Sequence, residues 1–117
     1  MTSPAPRLRV IDLETDGNGV CDVCEIGWQD VVQDPDGHWR LDDERGARFV
    51  NPGRPISPET RAIHHILDSD VAGAPYWPAI AGSILRPKHS LLALAAHRAS
   101  FERRFCTAKY TGDTPWI

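Results

Sequence analysis

With 117 residues, 41% of them hydrophobic and 25% charged, and four Trp among them, the chain has a globular composition and room for one domain, whose core at this size needs no disulfide or metal staple. Its longest apolar run, Leu91 to Ala96, is too short to cross a bilayer, and Met-Thr-Ser-Pro-Ala-Pro at the start lacks the apolar stretch of a secretion signal, so a cytoplasmic protein with no membrane partner is expected. The net charge of -3 argues against a nonspecific polyanion binder, but it is unevenly divided: eleven acids and one base between Val10 and Glu44, six bases and one acid between Arg86 and Lys109.

Leu8 to Leu13 reads as a short buried strand after an N-terminal tail, residues 1–7, and Thr15-Asp16-Gly17-Asn18-Gly19 ends it with a tight reversal. A second strand, about Val23 to Val32, leads into Asp34-Pro35-Asp36-Gly37, a hairpin signal in which Asp-Gly supplies positive φ angles. The return strand, Trp39 to Val50, is interrupted near Asp42 to Gly46, where a bulge or wider excursion is expected. Ser57-Pro58-Glu59 marks a helix start, with Ser57 as cap and Pro58 in the first turn, and that helix ends near His65 or Ile66. Another helix is expected from Trp77 or Pro78 to Leu85, stopped by Arg86-Pro87. Ser90 to Ala96, apolar on both faces, reads as a central strand, and Ala99 to about Ala108 as a last helix that buries Phe101 and Phe105. The order is that of a three-stranded antiparallel start feeding an α/β layer.

Asp12 and Glu14 are two apart on a strand, so they share a face while Leu13 points to the core. Paired anions of this kind bind divalent cations, yet Asp-x-Glu also occurs on ordinary solvent-facing strands. Cys21 and Cys24 form a Cys-x-x-Cys with no second pair and Cys106 far downstream, so zinc is not expected and Cys24 is placed half-buried in its strand. With three cysteines in all, a disulfide framework is not expected either.

Four patches, in order along the chain, carry a resemblance. Asp12-Leu13-Glu14-Thr15-Asp16-Gly17, Glu25-Ile26-Gly27, Ile63-His64-His65-Ile66 and His97 through Phe105 resemble the motifs of the DEDD superfamily of 3′–5′ exonucleases, the proofreading type, from Arg9 to the end of the chain. That resemblance implies a ribonuclease H-like mixed sheet with three antiparallel N-terminal strands flanked by helices and incomplete at the C-terminus, residues 8–117 being the N-terminal portion of an exonuclease domain. It implies hydrolysis of phosphodiester bonds at the 3′ end of DNA or RNA, assisted by two divalent cations, Mg²⁺ or Mn²⁺. Asp12, Glu14 and Glu102 would be the catalytic metal ligands, with Thr15, His64, Arg98 and Phe101 around the terminal nucleotide. A single-stranded 3′ end is the implied partner, together with a polymerase or another replication or repair protein.

Two positions depart from the family pattern. Glu102 stands where the family has Asp, which lengthens the carboxylate arm and is expected either to weaken activity or to move it toward Mn²⁺, and Arg98 stands for Asn, bringing a bidentate phosphate donor to the site. Arg98, Arg103 and Arg104 together would form a basic wall along the strand's phosphates. The family's third motif, a His general base and an Asp metal ligand five residues on, has no counterpart after Asp113, so a longer natural protein is expected. A noncatalytic member that binds nucleic acid or protein on the same fold is the competing reading.

Overall fold

The computed structural model describes residues 4–17 and 19–117, so Asn18 of the first reversal and residues 1–3 of the tail lie outside the described residues. Three long strands come first: β1 (Arg7–Thr15), β2 (Val23–Gln33) and β3 (Trp39–Phe49). They are followed by α1 (Pro58–His64), α2 (Asp68–Val71), α3 (Trp77–Leu85), β4 (Ala93–Ala95), α4 (Ala99–Glu102) and α5 (Ala108–Thr111). The sheet order is β3-β2-β1-β4, with the first three antiparallel and β4 parallel to β1. This is the mixed α/β sheet expected from the sequence.

Alternation along β1 decides which way the sheet faces. Arg9, Ile11 and Leu13 are buried and Val10 and Asp12 exposed, so one face meets α3 and the other carries the acidic residues. Ile11, Leu13, Ile26 and Leu94 from the sheet pack with Trp77, Ile80, Ile84 and Leu85 of α3 and with Phe105 and Tyr110. A smaller cluster of Cys24, Ile56, Ile66 and Val71 seats α2 and the segments on either side of α1 against the start of β2. No helix among the described residues is long and apolar enough to cross a membrane.

The β2–β3 hairpin turns at Asp34–Gly37, where the Gly37 N–H donates to the Asp34 carbonyl at 2.9 Å and only Gly37 takes a positive φ. The excursion in β3 is present: the partners of Gln29 and Val31 are Arg45 and Leu41, so one residue of β2, Asp30, stands opposite three of β3, Asp42 to Glu44. Beside it, Gly46 leaves room for Trp28, whose ring would lie 2.5 Å from a Cβ there.

Several expectations are corrected. Arg7 belongs to β1 and not to the tail, its carbonyl accepting from the Leu92 N–H at 2.7 Å. Cys24 is fully buried, because the β1–β2 register slips from Glu14↔Glu25 to Thr15↔Val23 and leaves it as the extra residue of a bulge turned into the small cluster. The last strand contracts to three residues, with β1 on one side and a parallel bridge from Leu94 to Trp116 on the other. The single helix from Ala99 to Ala108 is two short ones: the Phe105 carbonyl accepts from Trp77 Nε1 at 3.0 Å, and Thr107 turns to an extended conformation as the cap of α5. Phe101 and Phe105 stay adjacent, 5.2 Å between ring centroids. Helix α2 has no counterpart in the sequence reading.

Candidate active site

The site forms where β1 ends and α4 begins. Asp12 projects from the open face of β1, and Glu102, 6% exposed, faces it from the last position of α4. Asp12, Leu13, His97, Arg98, Phe101 and Glu102 line a cleft of about 180 Å³ between them. Arg98 caps α4 with its backbone, its carbonyl accepting from the N–H groups of Phe101 (2.7 Å) and Glu102 (3.2 Å), so the turn that holds Arg98 at the cleft also holds Glu102.

The three carboxylates share one electrostatic field. Burial raises the Glu102 carboxyl above its ordinary range, and the charge on Asp12 and, more weakly, on Glu14 adds to this against the opposing effect of Arg98. Burial also raises Glu14, helped by Asp12 and Glu25 and opposed by His64. Anions crowded in this way favour a neutralising cation, and an all-oxygen donor set is what Mg²⁺ and Mn²⁺ prefer. Among the described residues, no three His, Cys, Asp or Glu side chains converge as a ready-made metal cage.

His64, in the last turn of α1, acts on Glu14 through its charge. Its Nδ1 accepts from the Ile66 N–H at 3.1 Å, which leaves the proton of the neutral ring on Nε2, and Nε2 is buried without a hydrogen-bond partner. Adjacent His65 ends the helix in the left-handed conformation, φ 60°, with its N–H on the Arg61 carbonyl. Thr15 stands at the bulge opposite Val23.

The structure therefore brings together Asp12, Glu102, Arg98 and Phe101 around the cleft, with Glu14 in the field of both Asp12 and His64. It separates Arg103, which lines a different cavity of about 470 Å³ with Cys106, Thr107 and Trp116, so the basic wall reduces at the cleft to Arg98. His97, absent from the candidates read in the sequence, also lines the cleft. Asp16 is the other residue that was missed: 3% exposed, it accepts from the Ser57 N–H at 3.1 Å, from Ser57 Oγ at 2.8 Å and from Thr60 Oγ1, and pairs with Arg54 at 2.8 Å. The Asp-Gly that follows the paired carboxylates was the available signal. Gly17 takes φ 141°, and a Cβ there would lie 2.6 Å from Asp22 Oδ2, so the chain turns here only because residue 17 is glycine.

No protein-family model matches the chain. Exodeoxyribonuclease 10 of Escherichia coli K12 is 32% identical over 100 residues, covering 83% of this chain and 39% of that protein. A solved structure of exonuclease X in complex with 5′ overhanging duplex DNA superposes with a TM-score of 0.70 at 30% identity, over 94% of this chain and 58% of that one. The chain is homologous to Exodeoxyribonuclease 10 and structurally similar to exonuclease X. Exonuclease I, solved in its complex with the C-terminal segment of SSB, shares the fold of this exonuclease homologue at 12% identity and a TM-score of 0.71, over 97% of this chain and 28% of that one. This exonuclease homologue thus spans about two fifths of the curated relative's length.

Proposed function

We propose that this chain carries the nucleotide-binding and carboxylate part of a metal-dependent 3′–5′ exonuclease that shortens nucleic acid, DNA by the names of its relatives, from the 3′ end. The observation that carries the reading is the convergence of Asp12 and Glu102 on one cleft with Glu14 beside them, on a chain 30% identical to exonuclease X. Asp12, Glu14 and Glu102 would hold Mg²⁺ or Mn²⁺, which when bound lowers the pKa of water and stabilises the leaving alkoxide. Phe101 offers a partly open ring for the terminal base and Arg98 a guanidinium for its phosphate, with His64 near the nucleotide at the end of α1.

The test is digestion of a 5′-labelled single-stranded oligonucleotide by the natural protein that carries this sequence, with Mg²⁺ and with Mn²⁺. A ladder shortening from the 3′ end is expected, and Asp12→Ala should reduce its rate by at least about a hundredfold with the melting temperature nearly unchanged. Undiminished digestion by that variant overturns the assignment. Oligonucleotide binding with no digestion by the unaltered protein would favour the noncatalytic reading instead.

A further inference from the structure

The end of β1 and the start of α1 are far apart in sequence yet tied through one buried side chain. Asp16 follows the paired carboxylates by two residues, and both of its carboxylate oxygens are occupied. Oδ1 accepts from the Ser57 N–H, from Ser57 Oγ and from Thr60 Oγ1, while Oδ2 meets Arg54 at 2.8 Å. Arg54 also donates to the Asp16 carbonyl and reaches Asp22 at 3.2 Å, closing the loop that leaves β1. The Ser57 hydroxyl that binds Asp16 is also the cap of α1. A helix held at its first turn by a buried charge has little freedom to slide or tilt, and seven residues on it ends at His64, the one buried polar side-chain atom without a partner among the described residues being His64 Nε2.

We propose that Asp16 is a positioning residue: by locking the first turn of α1 to the end of β1, it fixes where the helix ends, and so where its last residue, His64, stands relative to the carboxylate strand that would meet the 3′-terminal nucleotide. The tie acts on geometry alone, since both carboxylate oxygens of Asp16 are taken up by its own protein partners. This inference rests on the exonuclease reading for the identity of the nucleotide, though not for the tie itself.

A double-mutant cycle in the natural protein tests it, with Asp16→Asn, His64→Ala and the pair, reading KM and kcat separately on a 3′-hydroxyl oligonucleotide. Asp16→Asn alone is expected to raise KM about tenfold with a smaller change in kcat, and in the His64→Ala background it should add little, because the two act through one contact. Equal effects in both backgrounds would overturn the proposal. Should Asp16→Asn fail to fold, Thr60→Val cuts the same tie from the helix side and enters the same cycle. The ring ¹⁵N resonances of His64 give a readout independent of activity: they should move in Asp16→Asn and in Thr60→Val, and unchanged resonances would overturn the tie. Shifted resonances in a protein that neither binds nor digests the oligonucleotide would uphold the tie and defeat the exonuclease reading.

Discussion

Glu102 and Asp16 are both buried acids, and their surroundings push them in opposite directions. Glu102 is raised by burial first and by the Asp12 charge next, so the folded chain holds its proton more tightly than the unfolded chain does. Its contribution to stability is present below the ordinary value of 4.5 and is lost as pH rises through the folded value. Burial acts on Asp16 in the same upward sense, but the hydrogen bonds from Thr60 and Ser57 and the charge of Arg54 outweigh it, and its carboxyl is lowered. Asp16 therefore contributes above its ordinary value of 3.8, and that contribution is lost as pH falls through the lowered folded value. Glu102→Gln should accordingly raise the melting temperature at neutral pH while impairing digestion, and the gain should fade on acidification below the ordinary Glu range. Circular dichroism melts across that range check it, and a variant less stable than the parent at neutral pH would show that Glu102 is not held against repulsion.

At the scale of elements, an ion network crosses the sheet away from the cleft. Asp30 of β2, wholly buried, takes Arg9 Nε at 2.6 Å and Arg7 at 2.8 Å from β1, while Arg7 continues to Asp42 of β3 at 2.9 Å. Arg9 also donates to the Ile84 carbonyl at 2.7 Å, which satisfies one of the free carbonyls at the end of α3. One carboxylate thus fixes three strands and a helix in register. Removing it leaves a buried guanidinium uncompensated, so Asp30→Ala should cost about 3–5 kcal/mol in urea unfolding. The strands themselves were legible because alternation and turn residues are local properties; the β3 excursion could be anticipated from Asp42-Asp43-Glu44-Arg45-Gly46 alone. The division of the last helix was not legible. It depends on the Trp77 indole reaching the Phe105 carbonyl, 28 residues away.

For the whole molecule, the charge division seen along the chain does not become two simple walls. Acids from β1 and α4 meet in the cleft, and of the arginines expected to face a nucleic acid strand there, Arg98 lines it while Arg103 lies at another cavity. Phosphate attraction at the cleft is therefore modest. Binding of a short single-stranded oligonucleotide should weaken with salt by a slope of about -0.7 for each phosphate neutralised, and Arg98→Ala should lower that slope by about one phosphate. Fluorescence anisotropy at graded salt measures it; a slope unaltered by Arg98→Ala would remove Arg98 from the phosphate path.

The sequence by itself determined the succession of the four strands along the chain, the start and end of α1, the burial of Phe105 and the pairing of Asp12 with Glu14 on one face, because each follows from residue chemistry within a few positions. The resemblance of four patches to one superfamily added Glu102, His64, Arg98 and Phe101, which no local rule would have joined. Only the tertiary structure decided that Cys24 is turned inward by a bulge, that Arg103 leaves the cleft, and that Asp16 ties β1 to α1. The Asp16 tie joins residues about forty positions apart, and a carboxylate on a turn reads the same in sequence whether it faces water or is closed in by a helix cap and an arginine.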